Sequence, residues 1–173
     1  MTTRVLISFF CDDRPGVTQQ LSAAVERCEG NWLDSQLSRL GGRFAGVLQV
    51  QIPEARRSDL ETALAALADD GITATVTDAG AAHAAPIAVR RLTLLGPDRP
   101  GIVLELTRSL HSAGFNVQSL DTSVESAPMS GEPLFRAEAR IELLEGGRLD
   151  QLEWQLDAMA EAMTLDIDVL DEN

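Results

Sequence analysis

The pentapeptide Asp13-Arg14-Pro15-Gly16-Val17 returns 85 positions later as Asp98-Arg99-Pro100-Gly101-Ile102. The same offset carries Leu21 onto Leu106, Val25 onto Leu110 and Asn31 onto Asn116. An ungapped offset shared by this many positions marks an internal duplication. The 173 residues must therefore build one small domain twice. Residues 1–78 form the first expected copy and residues 89–173 the second. The small-residue stretch 79–88, with Ala79-Gly80-Ala81-Ala82-His83-Ala84-Ala85-Pro86 at its centre, is the expected linker. Copies this short lie near the lower limit for a self-sufficient core.

Periodicity supplies the elements. In the second copy Arg91–Leu95 reads as a strand and Gly96–Gly101 as a turn. Pro100 or Gly101 then begins a helix, since a proline loses nothing at a first helical position. Ile102, Leu106, Leu110 and Ala113 form its apolar face, and Gly114 ends it. Asn116–Val124 is strand-like. Phe135, Ala137, Ala139, Ile141 and Leu143 alternate with Arg136, Glu138, Arg140 and Glu142, a half-buried strand with a solvated face of cross-strand ion pairs. Leu149, Leu152, Leu156, Met159 and Met163 mark a second amphipathic helix, and Leu165, Ile167 and Val169 a last strand. The first copy repeats the order, with strands near 4–10, 31–40, 43–52 and 72–78 and helices near 15–28 and 56–69. Ser58-Asp59-Leu60-Glu61 fits a capping box for its second helix. The order β-α-β-β-α-β, twice, predicts an α+β chain of two ferredoxin-like domains, each an antiparallel sheet with both helices on one face.

Charge narrows the partners. The net charge is −13, divided as −4 over residues 1–86 and −9 over 87–173, and every basic side chain is an arginine. A chain of this sign repels phosphate backbones and anionic lipid, so neither direct nucleic-acid binding nor membrane association is expected. No apolar run reaches the length of a membrane span. Met1–Val5 leads straight into a strand without the apolar stretch of a leader, which predicts a cytoplasmic protein. Cys11 and Cys28 read as buried small hydrophobes. His83, in the linker, and His111, on a helix, have no metal-ligand partner at useful spacing. Trp32 and Trp154 read as packing residues. No GxSxG, HExxH or phosphate-loop motif is present, so neither catalysis nor a cofactor is expected.

The turn Asp-Arg-Pro-Gly-Ile/Val within this element order resembles the ACT domain. The continuation Leu106-Thr107-Arg108-Ser109-Leu110, then Gly114-Phe115-Asn116-Val117, is ACT-like too. A chain of two such domains resembles the glycine cleavage system transcriptional repressor group. That resemblance implies a role in acting on a partner transcription activator in response to glycine.

Physically, a strand-to-helix turn presents free backbone N–H groups at a positive helix end, where a carboxylate is readily held. Gly16 and Gly101 permit close backbone approach. An asparagine donates and accepts, so Asn31 or Asn116 suits both ends of an amino acid, an arrangement the resemblance places between paired domains. The expected binding residues are Asp98, Arg99, Pro100, Gly101, Ile102, Asn116 and Val117, with Asp13, Arg14, Gly16 and Asn31 in the first copy. The second copy follows the pattern more closely. In the first, Glu29-Gly30-Asn31 stands for Gly114-Phe115-Asn116, and Trp32 replaces a small aliphatic residue. The same features also suit plain structure: Pro-Gly as a helix start, Asp13 and Asp98 as caps, Asn116 as a loop tie.

Three functions are consistent with these residues. One is an amino-acid-responsive regulator that acts through a protein partner. Another is the detached regulatory part of an amino-acid or folate enzyme, since formyltetrahydrofolate deformylases resemble this chain at their N-terminal ACT domain. The third is an oligomerisation module without ligand. Exposed sheet edges tend to be paired or covered, so the two copies are expected to pair and the chain to form a homodimer.

Overall fold

The computed structural model describes residues 1–80, 85–128 and 131–171. His83 and the centre of the expected linker lie outside the described residues. The chain divides into two compact units, one for each copy.

The first unit runs β1 (Thr2–Asp12), α1 (Val17–Arg27), β2 (Asn31–Leu40), β3 (Arg43–Pro53), α2 (Arg57–Ala65) and β4 (Thr73–Asp78). The second runs β5 (Ala88–Pro97), α3 (Ile102–Ser112), β6 (Phe115–Ser126), β7 (Pro133–Leu143), α4 (Leu149–Met163) and β8 (Asp166–Asp171). Each unit holds one four-stranded sheet, ordered β2-β3-β1-β4 and β6-β7-β5-β8, with every neighbouring pair antiparallel. The expected βαββαβ pattern is present twice.

Each sheet turns one face to its helices. Val5, Ile7, Phe9 and Cys11 alternate inward from β1 and meet Val17, Leu21, Ala24 and Val25 of α1 and Leu60 and Leu64 of α2. In the second unit Leu92, Leu94, Ala137, Ala139 and Ile141 meet Leu106, Leu110, Leu152 and Leu156. Burial of these apolar side chains is the main stabilising contribution in each unit.

The two sheets share even their irregularity. The β2–β3 register slips between Trp32 and Asp34, and the β6–β7 register slips between Val117 and Ser119, the matching place. A bulge inserts one residue and so changes which later side chains face the core. Beyond it Leu37 and Arg39 lie opposite Gly46 and Phe44 on the helix-covered side.

Three local readings need correction. Ser58 opens no capping box. A 3-10 turn, Glu54–Arg56, runs directly into α2, leaving no extended residue before Ser58 to act as a cap. Glu61 accepts instead from Arg57 Nε at 3.1 Å, and the Ser58 carbonyl accepts from the Thr62 hydroxyl at 2.9 Å. Neither Asp13 nor Asp98 caps a helix by its side chain; the cap positions are Gly16 and Gly101. Trp154 is not a packing residue. It stands 70% exposed on α4, whereas Trp32 packs at the margin of the first core.

Candidate functional site

Both Asp-Arg-Pro-Gly turns solve one geometric problem. The chain leaves the central strand and must reverse into a helix lying across the sheet. It does so through a left-handed glycine, Gly16 at φ 94° and Gly101 at φ 98°. Side chains rarely adopt this conformation, so glycine is required. Each aspartate amide ties the turn to a neighbouring hairpin or loop. Asp13 N–H donates to the Gly42 carbonyl at 3.1 Å, and Asp98 N–H to the Pro133 carbonyl at 2.9 Å.

The first turn closes a hollow of about 310 Å³ lined by Asp13, Arg14, Gly16, Val17, Thr18 and Gln19, with Arg39 and Phe44 opposite. Arg39 reaches Asp13 at 3.4 Å. Arg14 donates to the Asp70 carbonyl at 2.8 Å and to Gln20 Oε1 at 3.1 Å, and Gln20 Nε2 donates to Asp70 Oδ2 at 3.1 Å. The turn is thus anchored to the end of the segment that follows α2. Phe44 packs edge-on to Phe9, with ring centroids 5.3 Å apart, which sets one wall of the hollow. Below it Cys11 Sγ–H points to the Phe44 carbonyl at 3.5 Å. Burial pushes the thiols of Cys11 and Cys28 above their ordinary range, against the opposing pull of Arg14 and Arg56.

Thr18, Gln19, Arg39 and Phe44 were not among the expected binding residues. The signal for two of them is Gly41-Gly42, a two-residue hairpin link. It fixes Leu40 opposite Arg43 and Arg39 opposite Phe44.

In the second unit Asp98, Arg99, Pro100 and Gly101 are all exposed, while Ile102 is buried at the start of α3. Among the described residues Arg99 makes no hydrogen bond or ion pair, in contrast to Arg14. Position 20 offers Arg14 a glutamine, but its counterpart Glu105 turns to Arg108 at 3.7 Å.

The asparagines lie elsewhere. Asn116 pairs in register with Glu142, to which it donates at 3.3 Å, and Glu142 pairs with Val89 at the start of β5. The Asp98 turn follows Pro97, at the other end of that strand. Asn31 likewise faces Gln51, which faces Arg4, whereas Asp13 follows Asp12. At about 3.4 Å per residue the two ends of such a strand are more than about 20 Å apart. Neither unit brings its asparagine to its own turn. Val117, beside Asn116, packs against the second core.

The ACT domain family model matches residues 3–77. The first repeat is an ACT domain. The second shares its element order, sheet order and bulge, which makes the chain a tandem of ACT folds. A crystal structure of an unknown protein from Galdieria sulphuraria is 28% identical, covers 100% of both chains and superposes with a TM-score of 0.85. A candidate glycine cleavage system transcriptional repressor is 18% identical, covers 99% of both chains and has a TM-score of 0.72, a likeness of fold. A formyltetrahydrofolate deformylase from Pseudomonas putida KT2440 aligns with 49% of this chain over 29% of its own, at 18% identity and a TM-score of 0.41. No curated protein matches the chain. Among the described residues no group of side chains is arranged to hold a metal ion, and no helix is long and apolar enough to cross a membrane.

Proposed function

We propose that this protein is a non-catalytic regulator that binds a small amino acid in the hollow of the first ACT domain and relays its presence to a protein partner. The observation that carries this reading is the hollow itself. Its volume of about 310 Å³ sits at the small end of ligand sites. It joins a helix N-terminus to two guanidinium groups and one carboxylate. The N–H groups of Val17 and Thr18 lie in the first turn of α1, where no carbonyl of the helix reaches them, and they suit the ligand carboxylate. Arg39, swung from Asp13, adds a charge-assisted bond. Asp13, released from Arg39, pairs with the ammonium. Phe44 bounds the side chain and so favours a short one.

The second turn, Asp98 to Ile102, is open and offers fewer positioned groups, which supports the first ACT domain as the effector site and reverses the order expected from the sequence. Asn31 and Asn116 stand outside this pocket. The fold likeness to a candidate glycine cleavage repressor makes glycine the first ligand to titrate.

Calorimetric titration with a panel of amino acids tests the proposal. Binding of one small amino acid is expected, weakened by about 1–3 kcal/mol in Arg39→Ala, where the ligand carboxylate loses a charge-assisted partner. Asn116→Ala should bind as the parent does. A panel without binding, or binding that Arg39→Ala leaves intact and Asn116→Ala abolishes, overturns it.

A further inference from the structure

The side of the first sheet turned away from its helices carries no ionisable side chain across its centre, although the fold places no such demand. The strand registers of the two units match residue for residue, so each position on one outer face has a counterpart on the other. Leu6 corresponds to Arg91, Ala45 to Arg136, Val47 to Glu138, Gln49 to Arg140 and Thr75 to Asp168. The second unit sets ion pairs such as Arg91 to Glu138 at 2.8 Å across the centre of this face, with Leu95 and Leu170 exposed beside them. The first leaves Phe10 52% and Val47 45% exposed among serines, threonines and glutamines. Its charges stand around that centre: Asp34 on the edge strand opposite Gln49, Arg4 two residues before Leu6 on β1, and at the far end Arg43, which pairs with Asp12 and stacks over Phe10 at 5.6 Å from the ring centre.

We propose that this face is the contact surface for a second copy of the same chain, packed sheet against sheet about a two-fold axis. Three observations select that occupant. The chain carries a net charge of −13, with −9 on residues 87–173 and −4 on residues 1–86, so two copies repel one another and approach at least cost through their first repeats. Hydroxyl and carboxamide groups both donate and accept. A face built of them, such as Ser8 and Thr75, already joined at 2.7 Å, is complementary to itself, as a two-fold contact requires. A basic partner would instead be matched by carboxylates, which this face lacks at its centre. Homodimer contacts are more apolar than the general protein surface, and the cores of protein contacts are depleted of charge.

The test borrows residues from the second repeat, where the same backbone position accepts them. Light scattering of the full chain at micromolar concentrations should give twice the chain mass, with dimerisation tightened by added salt as net repulsion is screened. Val47→Glu and Leu6→Arg should each weaken dimerisation about 100-fold or more, because each buries an unpaired charge in the contact. Their far-ultraviolet dichroism should be unchanged. Arg136→Ala, on the equivalent face of the second unit, should leave the mass untouched. A parent that stays at monomer mass overturns the proposal, as does a dimer that survives both Val47→Glu and Leu6→Arg while Arg136→Ala dissolves it. The amino-acid site is measured separately by titration, so the two readings stand or fall independently.

Discussion

Leu6, Val47 and Thr75 of the first repeat stand where Arg91, Glu138 and Asp168 stand in the second, on sheets of one order and one register. The helix-covered sides differ less: Ile7, Phe9 and Val50 are answered by Leu92, Leu94 and Ile141 in closed cores, while Val5, near the strand's start, is answered by Arg90, which pairs with Asp171. Close packing constrains an interior at the level of single methylenes, while a sheet's outer face is free to change with what it meets. The divergence between repeats is concentrated on the outer faces and around the two glycine turns, the surfaces on which the proposed site and contact rest.

The comparison is sharpest at helix ends. Gly114 closes α3 at φ 77°, and a Cβ built there would lie 2.6 Å from the backbone Cα of Gly147. Gly114→Ala should cost roughly 2–5 kcal/mol, from left-handed strain and a backbone clash together. Urea unfolding followed through Trp154, with Trp32 replaced by phenylalanine, reports on the second repeat. A loss under about 1 kcal/mol in that experiment would mean the glycine pair is loosely packed.

Gly16→Ala and Gly101→Ala form the next pair. Neither Cβ meets any atom within 4 Å, so each should cost only the left-handed strain, about 1–2 kcal/mol. Stability thus treats them alike, and ligand binding separates them. Titration should weaken with Gly16→Ala and not with Gly101→Ala; the opposite pattern moves the effector site to the second repeat.

Glu29 occupies the place of Gly114 at φ 55°. Glu29→Gly should stabilise the first repeat by about 0.5–1 kcal/mol, since its exposed ion pair with Arg56 at 3.4 Å contributes little. Destabilisation on thermal unfolding would show that the ion pair outweighs the strain.

The smallest effect near neutral pH distinguishes the repeats at alkaline pH. Both cysteines belong to the first, and burial raises both thiols in the folded chain. The folded protein then holds its thiol protons to higher pH than the unfolded one. That stabilisation is complete below about pH 8.5, the ordinary thiol range, and is lost as pH rises through the folded values. The first repeat should weaken above that range, and Cys11→Ala with Cys28→Ala should remove the thiol-dependent part of the slope.

Much of this architecture is legible in the residues. The offset linking Asp13-Arg14-Pro15-Gly16 to Asp98-Arg99-Pro100-Gly101, the alternation from Phe135 to Leu143 and the helical spacing from Leu149 to Met163 identify the fold, because period and burial are directly coupled. The site was less legible. Residues adjacent in the Asp-Arg-Pro-Gly motif do stay together, but Asn31 and Asn116 are carried to the far end of the sheet by the full length of α1 and α3. Arg39 falls on the helix-covered side, opposite Phe44, only because a bulge shifts the alternation after Trp32, and a bulge leaves no period of its own. Trp154 looked like core because its bulk is apolar, yet it follows Leu152 by two positions and so points away from the helix's buried stripe. Ser58 matched a capping pattern that the preceding 3-10 turn leaves no room to form.

The turns at Gly16 and Gly101 carry one more consequence. A backbone at φ 94° or 98° with open space where a Cβ would project is unfavourable to one hand of amino acid and comfortable for the other. Glycine serves there as the only achiral residue a ribosome can supply. A chain assembled by chemical ligation with D-alanine at position 16 should fold as the natural one does and be more stable, because the mirror-image residue prefers that conformation and narrows the freedom of the unfolded chain. Handedness, rather than size, is what those two positions select.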